Sequence, residues 1–466
     1  MTLLSPPDPA AELLPELVAL CRGELSAGER AGAVLPLCDT LGVLLGGACD
    51  LRMRALMATL SLSQAARPGR ARLPGGTCWG APADIALILG TAAHLLDFDD
   101  DETEVAMAHL SAPSLSATLA VAGRSGVEAG LPELIDAYVT GCKAMLLLGS
   151  AVNPALYRAG WHATSVLGIF GATAAAARLL ALDDAASAQA FSLAASAASG
   201  PRGAFGGEGK PLQVGLAAGQ GVRAALLAQA GWQGAAGALA GPRGVLTRMA
   251  ALRPATAPAD FPPPGFVTKL YPSCTATHAA VAELIALGVQ SGAGAGHRPP
   301  HAIRCGIDPF VPRILIPGLP DGPDAARFSL GYCLAYAALH GTLGPEAFAP
   351  AAFAAGAPAG PAIRDLMGRI TIEDDASLPK GPSGIATGAS VMLVLEDGTV
   401  LSGRREAAPG SRLAPASAGD LQRKFAGCLA PLCDSEAAGA LWRRLSSLSE
   451  FSSAGALLDA LPAAFA

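Results

Sequence analysis

The chain is poor in charge and poorer still in lysine. Charged residues fill 15% of 466 positions, well under the usual quarter or so of a globular protein. Of 32 cationic residues only five are lysines (Lys143, Lys210, Lys269, Lys380 and Lys424), and none sits in a basic run. With a net charge of −6, nothing in the chain offers nucleic acid an electrostatic footprint. Paired cysteines are also missing. Ten cysteines are scattered without a CxxC pair, the closest being Cys428 and Cys433, so neither a zinc framework nor a disulfide framework is expected and the thiols read as reduced. Long lipophilic runs are absent too. The mean hydropathy of +0.41 comes largely from alanine, and uncharged stretches such as Ala159 to Ala177 are rich in small residues that substitute weakly for leucine in lipid, so no membrane span is expected. The start, MTLLSPPDPAAELLPE, lacks a basic segment followed by an apolar one, and the expected location is cytoplasmic.

What the chain has is apolar content, 51%, which argues for extensive burial, and a length that at roughly 150 residues per domain suggests two or three domains. The first 260 positions read as alanine- and leucine-rich helices. From Ala83 to Leu96, the residues Ile85, Ile88, Leu89, Ala92, Leu95 and Leu96 recur at spacings of three and four and make one apolar stripe. Similar patterns predict helices over 33–46, 114–122, 132–148, 170–182, 185–198 and 212–230. At Phe261 to Gly265, FPPPG breaks any helix. Beyond it, strands are predicted over 302–307, 311–316, 369–373 and 390–395, the last followed by Asp397-Gly398 as a hairpin turn, with helices over 276–287 and 328–339 among them. The segment from Ala407 to Gly419 reads as a return linker, after which the pattern is helical again. The expected architecture is therefore mainly α: a large all-helical domain built from both chain ends, 1–262 plus 409–466, with a smaller inserted α+β lid domain at 263–408.

Seven histidines exist, and four segments place polar residues in apolar surroundings. In HLLDFDDDETEVAMAHLSAPS the helix from Ala83 runs into five acids within six positions, Asp97 to Glu102. Carboxylates at a helix C-terminus face the negative end of its dipole and repel one another, so something must offset the cost. The segment reads either as a solvated acidic loop or as a site where a carboxylate orients an imidazole. In GWHATS, His162 precedes a small-residue helix, consistent with close packing or with a polar pocket for an anion. Lys210 follows a glycine-rich loop, FGGEGKP, whose spacing does not fit a phosphate loop. In so lysine-poor a chain it reads as an exposed loop residue or as a compact charge held for a carboxylate. In KLYPSCTATHAA, Lys269, Tyr271 and His278 stand at the entrance to the second domain, where a ligand pocket between domains is natural. Metal signatures do not emerge: Pro299 and Pro300 between His297 and His301 forbid the helical turn that would aim both imidazoles at one ion. GxSxG and a dinucleotide fingerprint are missing. Acid/base chemistry without a cofactor is what remains.

In this order and at these separations, Asp97 to Asp100 with His109, Gly160 to His162, Lys210, and Lys269 to Pro272 with His278 resemble the MmgE/PrpD family of dehydratases, decarboxylases and epimerases. The resemblance implies a cytosolic homodimer and a cofactor-free site for a small carboxylic acid between helical body and lid, with no metal, nucleic acid or membrane involved. In that picture His109 exchanges a proton with a substrate carbon and Asp97 sets its tautomer or charge. Lys210 and His278 clamp carboxylates, and His162, Asp101, Thr103, Lys269 and Tyr271 contact the substrate. Two positions depart from the family pattern: Asp101 stands where the family usually has threonine, which Thr103 replaces only across a two-residue insertion, and Leu110 follows His109 in place of proline. Extra carboxylates repel a tricarboxylate, so the expected substrate is less charged than citrate-like acids. The expected reaction is a lyase step, dehydration or decarboxylation. An isomerase or epimerase on the same scaffold, or an inactive binding homologue, are the alternatives.

Overall fold

The computed structural model describes residues 9–290, 300–356 and 360–465. Among them the chain is mainly helical, with eighteen α-helices and three small sheets. Buried apolar side chains form two clusters. The larger draws on residues from Leu13 to Phe266 and again from Leu421 to Ala464, and the smaller on residues from Ala279 to Leu393.

In the larger cluster the helices Pro82–Leu95, Ser111–Ala122, Ala163–Leu179 and Gly209–Gln229 pack side by side. Small residues set their separation. A Cβ at Gly215 would strike Thr91 Oγ1 and the Leu87 carbonyl, and one at Gly90 would lie 3.0 Å from the Gly215 Cα. Glycine at both positions therefore lets the Pro82–Leu95 and Gly209–Gln229 helices approach backbone to backbone. Two helices, Ala27–Ala48 and Leu131–Val152, are long and apolar enough to cross a membrane. Both are largely enclosed by other helices, 72% and 89% of the apolar stretch being buried, which is the setting of core helices.

The smaller cluster lies around a four-stranded sheet ordered Ile370–Asp374, Ala302–Ile307, Ala389–Val394, Val400–Arg405, with the first pair parallel and the others antiparallel. The Asp397-Gly398 turn closes the last hairpin, with Gly398 at φ +85°, a conformation glycine adopts without a steric penalty. The helices His278–Gln290 and Leu330–His340 cover the sheet. One expectation fails: 311–316 is not a strand but a 3-10 turn at Val311–Arg313. Pro312 has no N–H for a ladder, and the Val311 N–H bonds to the Asp308 carbonyl instead. His297 lies outside the described residues.

The second chain end reaches back to brace the acidic segment. From the helix Ala418–Leu429, Lys424 Nζ donates to Asp39 Oδ2 at 2.7 Å and to the Phe98 carbonyl at 2.7 Å, and lies 4.3 Å from the Phe98 ring centre. Breaking a buried pair leaves the other charge uncompensated. Lys424→Met is expected to cost about 3–5 kcal/mol in urea unfolding, and adding Asp39→Leu to recover most of it. A single-variant loss below about 1 kcal/mol, the range of an exposed pair, would show that the brace carries no load.

Candidate active site

The Pro82–Leu95 helix ends where Asp97 takes a left-handed conformation, φ +49°, which aspartate tolerates better than most side chains. The chain then runs through the acids into a two-residue strand, Asp101–Glu102, paired antiparallel with Phe266–Val267 just after the FPPPG break. Gly265 permits that pairing, because a Cβ there would strike the side chains of Glu102 and Glu104. Pairing of these strands brings Lys269 to Asp97, and the glycine-lined contact of the Pro82–Leu95 and Gly209–Gln229 helices brings Lys210 to the same place.

The repulsion expected among the five acids is resolved by giving four of them separate partners. Lys210 Nζ donates to Asp97 Oδ1 at 2.7 Å, and Lys269 Nζ lies 3.2 Å from the same oxygen and 3.0 Å from the Asp97 carbonyl. Burial alone would raise the Asp97 carboxyl, but Lys210 and then Lys269 hold it well below the usual range. Burial likewise opposes the charge on Lys269, and Asp97 overcomes it and raises the ammonium. Asp99 Oδ2 accepts from His94 Nδ1 at 2.8 Å and lies 3.2 Å from His109 Nδ1, off the line of a good hydrogen bond. Against the effect of burial, His94 and His109 hold Asp99 well below its ordinary value. Asp100 accepts from the Leu110 and Ser111 N–H groups at the start of the helix Ser111–Ala122. Burial, then Asp99, push its carboxyl up to about 7. Glu102 accepts from the backbone of Glu104, Val105 and Ala106, and burial pushes it up to about 7. Asp101, the fifth, has no side-chain hydrogen bond or ion pair among the described residues.

His94 links the two halves of this network. Lys210 Nζ lies 2.6 Å from His94 Nε2. An ammonium only donates, so Nε2 accepts and the His94 proton is on Nδ1, facing Asp99. Burial lowers His94 to about 4, so the ring is neutral and fixed. His109 stands edge-on to it with ring centres 4.4 Å apart, its backbone N–H donating to Thr164 Oγ1 at 3.0 Å. The sequence pattern alone does not single out His94. Its signal was a histidine in the last turn of an otherwise apolar helix, three residues before Asp97.

His162 is the N-cap residue of the helix Ala163–Leu179, 5.7 Å from His94 between ring centres. Its Nδ1 donates to Gln213 Oε1 at 2.8 Å, with the amide oriented by its other end on the Pro201 carbonyl. Burial, then Lys210, keep the ring neutral, well below its ordinary value, so its buried Nε2 is a lone pair without a partner.

These groups surround one cavity, about 730 Å³ of space including its mouth, lined by residues of both apolar clusters. Asp97, Asp101, Glu102, Thr103, His109, His162, Lys210 and Lys269 supply its polar wall, and Met107, Phe205, Val311, Ile314, Phe328 and Ile385 its apolar one. Lys210 Nζ sits 5.4 Å from the ring centres of both Phe205 and Phe328. Two expected members are elsewhere. The wall at that point is Cys274, Thr275 and Ala276. His278 is fully buried, with Nε2 3.1 Å from the Ser273 carbonyl and Tyr271 packed edge-on at 5.2 Å. Neither the carboxylate clamp expected of His278 nor the substrate contact expected of Tyr271 finds support here, because neither side chain lines the cavity.

Burial, then Lys269, lower His278 to about 3. The unfolded chain takes up a proton at this residue near pH 6.5, the folded chain not until about 3, so its contribution to stability is lost as pH falls through that window. His278→Gln is therefore expected to lose its stability deficit against the parent as pH falls from 7 to 5, at up to about 1.4 kcal/mol per pH unit in urea unfolding. A gap that stays constant or widens would contradict a buried neutral His278.

His94, Asp99 and His109 also lie close enough to meet one ion, their ligand atoms all within 4.8 Å. His94 is committed on both nitrogens, sharing its Nδ1 proton with Asp99 and meeting the Lys210 ammonium at 2.6 Å on the other, which leaves only His109 Nδ1 and one Asp99 oxygen unpartnered. A second positive charge there would be repelled. The set does not fit a resident metal.

Comparison with known proteins places the chain among relatives. The MmgE/PrpD N-terminal domain matches residues 24–256 and the MmgE/PrpD C-terminal domain residues 271–445. A cis-aconitate decarboxylase of Mus musculus is 27% identical over 373 residues, 75% of this chain and 73% of that protein. A cis-aconitate decarboxylase of Homo sapiens is 34% identical over 171 residues. That second match spans 34% of the length of each chain.

Proposed function

The chain belongs to the MmgE/PrpD family, whose members include dehydratases and decarboxylases, and we propose that it is itself a cofactor-independent lyase acting on a carboxylic acid less charged than citrate. The observation that carries this reading is the convergence of His109, Asp97, Lys210 and Lys269 on one cavity walled by Phe205, Phe328 and Met107. In a dehydration, His109 takes a proton from the carbon beside the carboxyl, the electron pair forms the alkene, and the hydroxyl on the next carbon leaves as water with the proton that the His109 imidazolium gives back. In a decarboxylation, the carbon–carbon bond breaks, carbon dioxide leaves, and the pair left on carbon takes a proton from the His109 imidazolium. Proton removal beside a carboxyl builds charge on its oxygens, as decarboxylation does where a second carboxyl takes up the pair left on carbon, and fixed ammonium groups in a poorly hydrated cavity stabilise that charge without reorganising. His94 and Asp99 set the orientation of this machinery.

Charge bears on the substrate. Lys210 and Lys269 both already share Asp97, and Asp101 adds a carboxylate to the wall. Three substrate carboxylates in that cavity would be undercompensated, and an unpaired buried charge costs several kcal/mol.

Purified protein incubated with mono-, di- and tricarboxylic acids and followed by NMR tests the reading. New alkene signals or released carbon dioxide from a mono- or dicarboxylate are expected. Faster turnover of citrate-like acids than of any other would overturn the substrate claim, and proton exchange without loss of any group would favour an epimerase over a lyase.

A further inference from the structure

Hydrogen-bond bookkeeping in the cavity is lopsided. Two ammonium groups donate, and their nearest acceptors are within the protein: Asp97 for both, and His94 Nε2 for Lys210. Against them stand three acceptors with no donor, while the Thr275 hydroxyl and His109 Nδ1 on the same wall are unpartnered as well. Asp97 Oδ2 is buried and unpartnered. His162 Nε2 is buried, unpartnered and, from the Gln213 contact on its other nitrogen, a lone pair. Asp101, half-buried, lines the cavity without a side-chain hydrogen bond or an ion pair among the described residues. It differs in this from its strand neighbour Glu102, which is turned onto three backbone N–H groups; successive strand residues face opposite ways.

The first two are buried, and buried acceptors without donors are costly and are found where a ligand completes them; Asp101 is a half-buried carboxylate on the same wall. We infer that the substrate carries, besides its carboxylate, a cationic or strongly hydrogen-donating group such as a protonated amine, and that Asp101 is the specificity-determining residue that receives it. The carboxylate faces Lys210 and Lys269, the amine faces Asp101 with His162 Nε2 as a second acceptor, and the apolar remainder lies against Phe205 and Phe328. A zwitterion of this kind matches a wall that carries both signs, two ammonium groups against the carboxyls of Asp97, Asp101 and Glu102. This inference rests on the cavity being the substrate site and is independent of which bond the enzyme breaks.

The test is equilibrium binding to the intact protein, measured by calorimetry with matched pairs of α-amino acids and the same acids lacking the amine, from alanine and propanoate up to phenylalanine and 3-phenylpropanoate. At least one pair is expected to show tenfold or greater preference for the amino member. Asp101→Asn is expected to bring that ratio within about threefold of unity, Asp101→Glu to restore part of it, and Lys210→Met to weaken both members of the pair. Equal binding of both members, preference for the des-amino acid, no binding of any pair, a ratio unmoved in Asp101→Asn, or binding unchanged in Lys210→Met would each overturn the assignment. Because no turnover is read, a failed lyase assay and a failed amine preference remain separate results.

Discussion

Lys210→Met is expected to lower kcat/KM by about 10²–10³-fold, the range seen when one preorganised donor is removed from a developing oxyanion. The lysine does two things at once. It presents positive charge in a cavity walled by Phe205 and Phe328, and it fixes two neighbours, donating to Asp97 Oδ1 at 2.7 Å and to His94 Nε2 at 2.6 Å. A methionine of similar reach supplies neither, so Asp97 keeps only Lys269 and His94 Nε2 loses its donor. Arginine is not expected to rescue the loss, because its planar fork cannot place one compact charge between a carboxylate and an imidazole. Steady-state kinetics on whichever acid is turned over, with circular dichroism to confirm the fold, reads the effect. A loss below about tenfold would remove Lys210 from the proposed mechanism.

His109→Asn is expected to reduce turnover by about 10²–10⁴-fold, the contribution of a positioned general acid or base. The ring is edge-on to His94, 3.2 Å from Asp99 and open to the cavity, so an imidazole here can take a proton from a substrate carbon and return it. Asparagine preserves the size and polarity of the position. Substrate affinity is accordingly expected to change by less than tenfold while kcat collapses, a split that loss of folding or of binding would not produce. A variant that retained a tenth of the parental kcat would assign the proton transfer to another group.

Much of the architecture is legible in the sequence because apolar periodicity is a local signal. The stripe predicted over 83–96 is the helix Pro82–Leu95, the pattern over 212–230 is Gly209–Gln229, and the strand signals at 302–307 and 390–395 appear as Ala302–Ile307 and Ala389–Val394. The 311–316 run was misread because β-branched composition outweighed a single proline, whose missing N–H settles the matter locally. The site is harder, since its members come from segments more than a hundred residues apart. The cluster of acids announced an electrostatic problem, and the structure solves it with Lys210 and Lys269, both singled out in the sequence, and with the backbone N–H groups of 104–106 and 110–111, which no side-chain pattern encodes. His94 was hidden by its own surroundings: a histidine on an apolar helix looks like a core residue, and it becomes informative only when Lys210 is found against it. His278 misled for the opposite reason. It stands in a segment carrying Lys269, and only the structure shows that the two side chains part, one to Asp97 and the other to the Ser273 carbonyl and the Tyr271 ring.

The claim beneath all of this is that one enclosed imidazole moves a proton on an organic acid beside a fixed ammonium. Deuterium incorporation from heavy water into the carbon-bound positions of a panel of carboxylic acids, followed by NMR for the parent protein and for His109→Asn and Lys210→Met, reads that step directly. Label entering at a carbon next to a carboxyl in the parent, and at least a hundredfold more slowly in both variants, is the predicted result. Label entering at parental rates in either variant would contradict it.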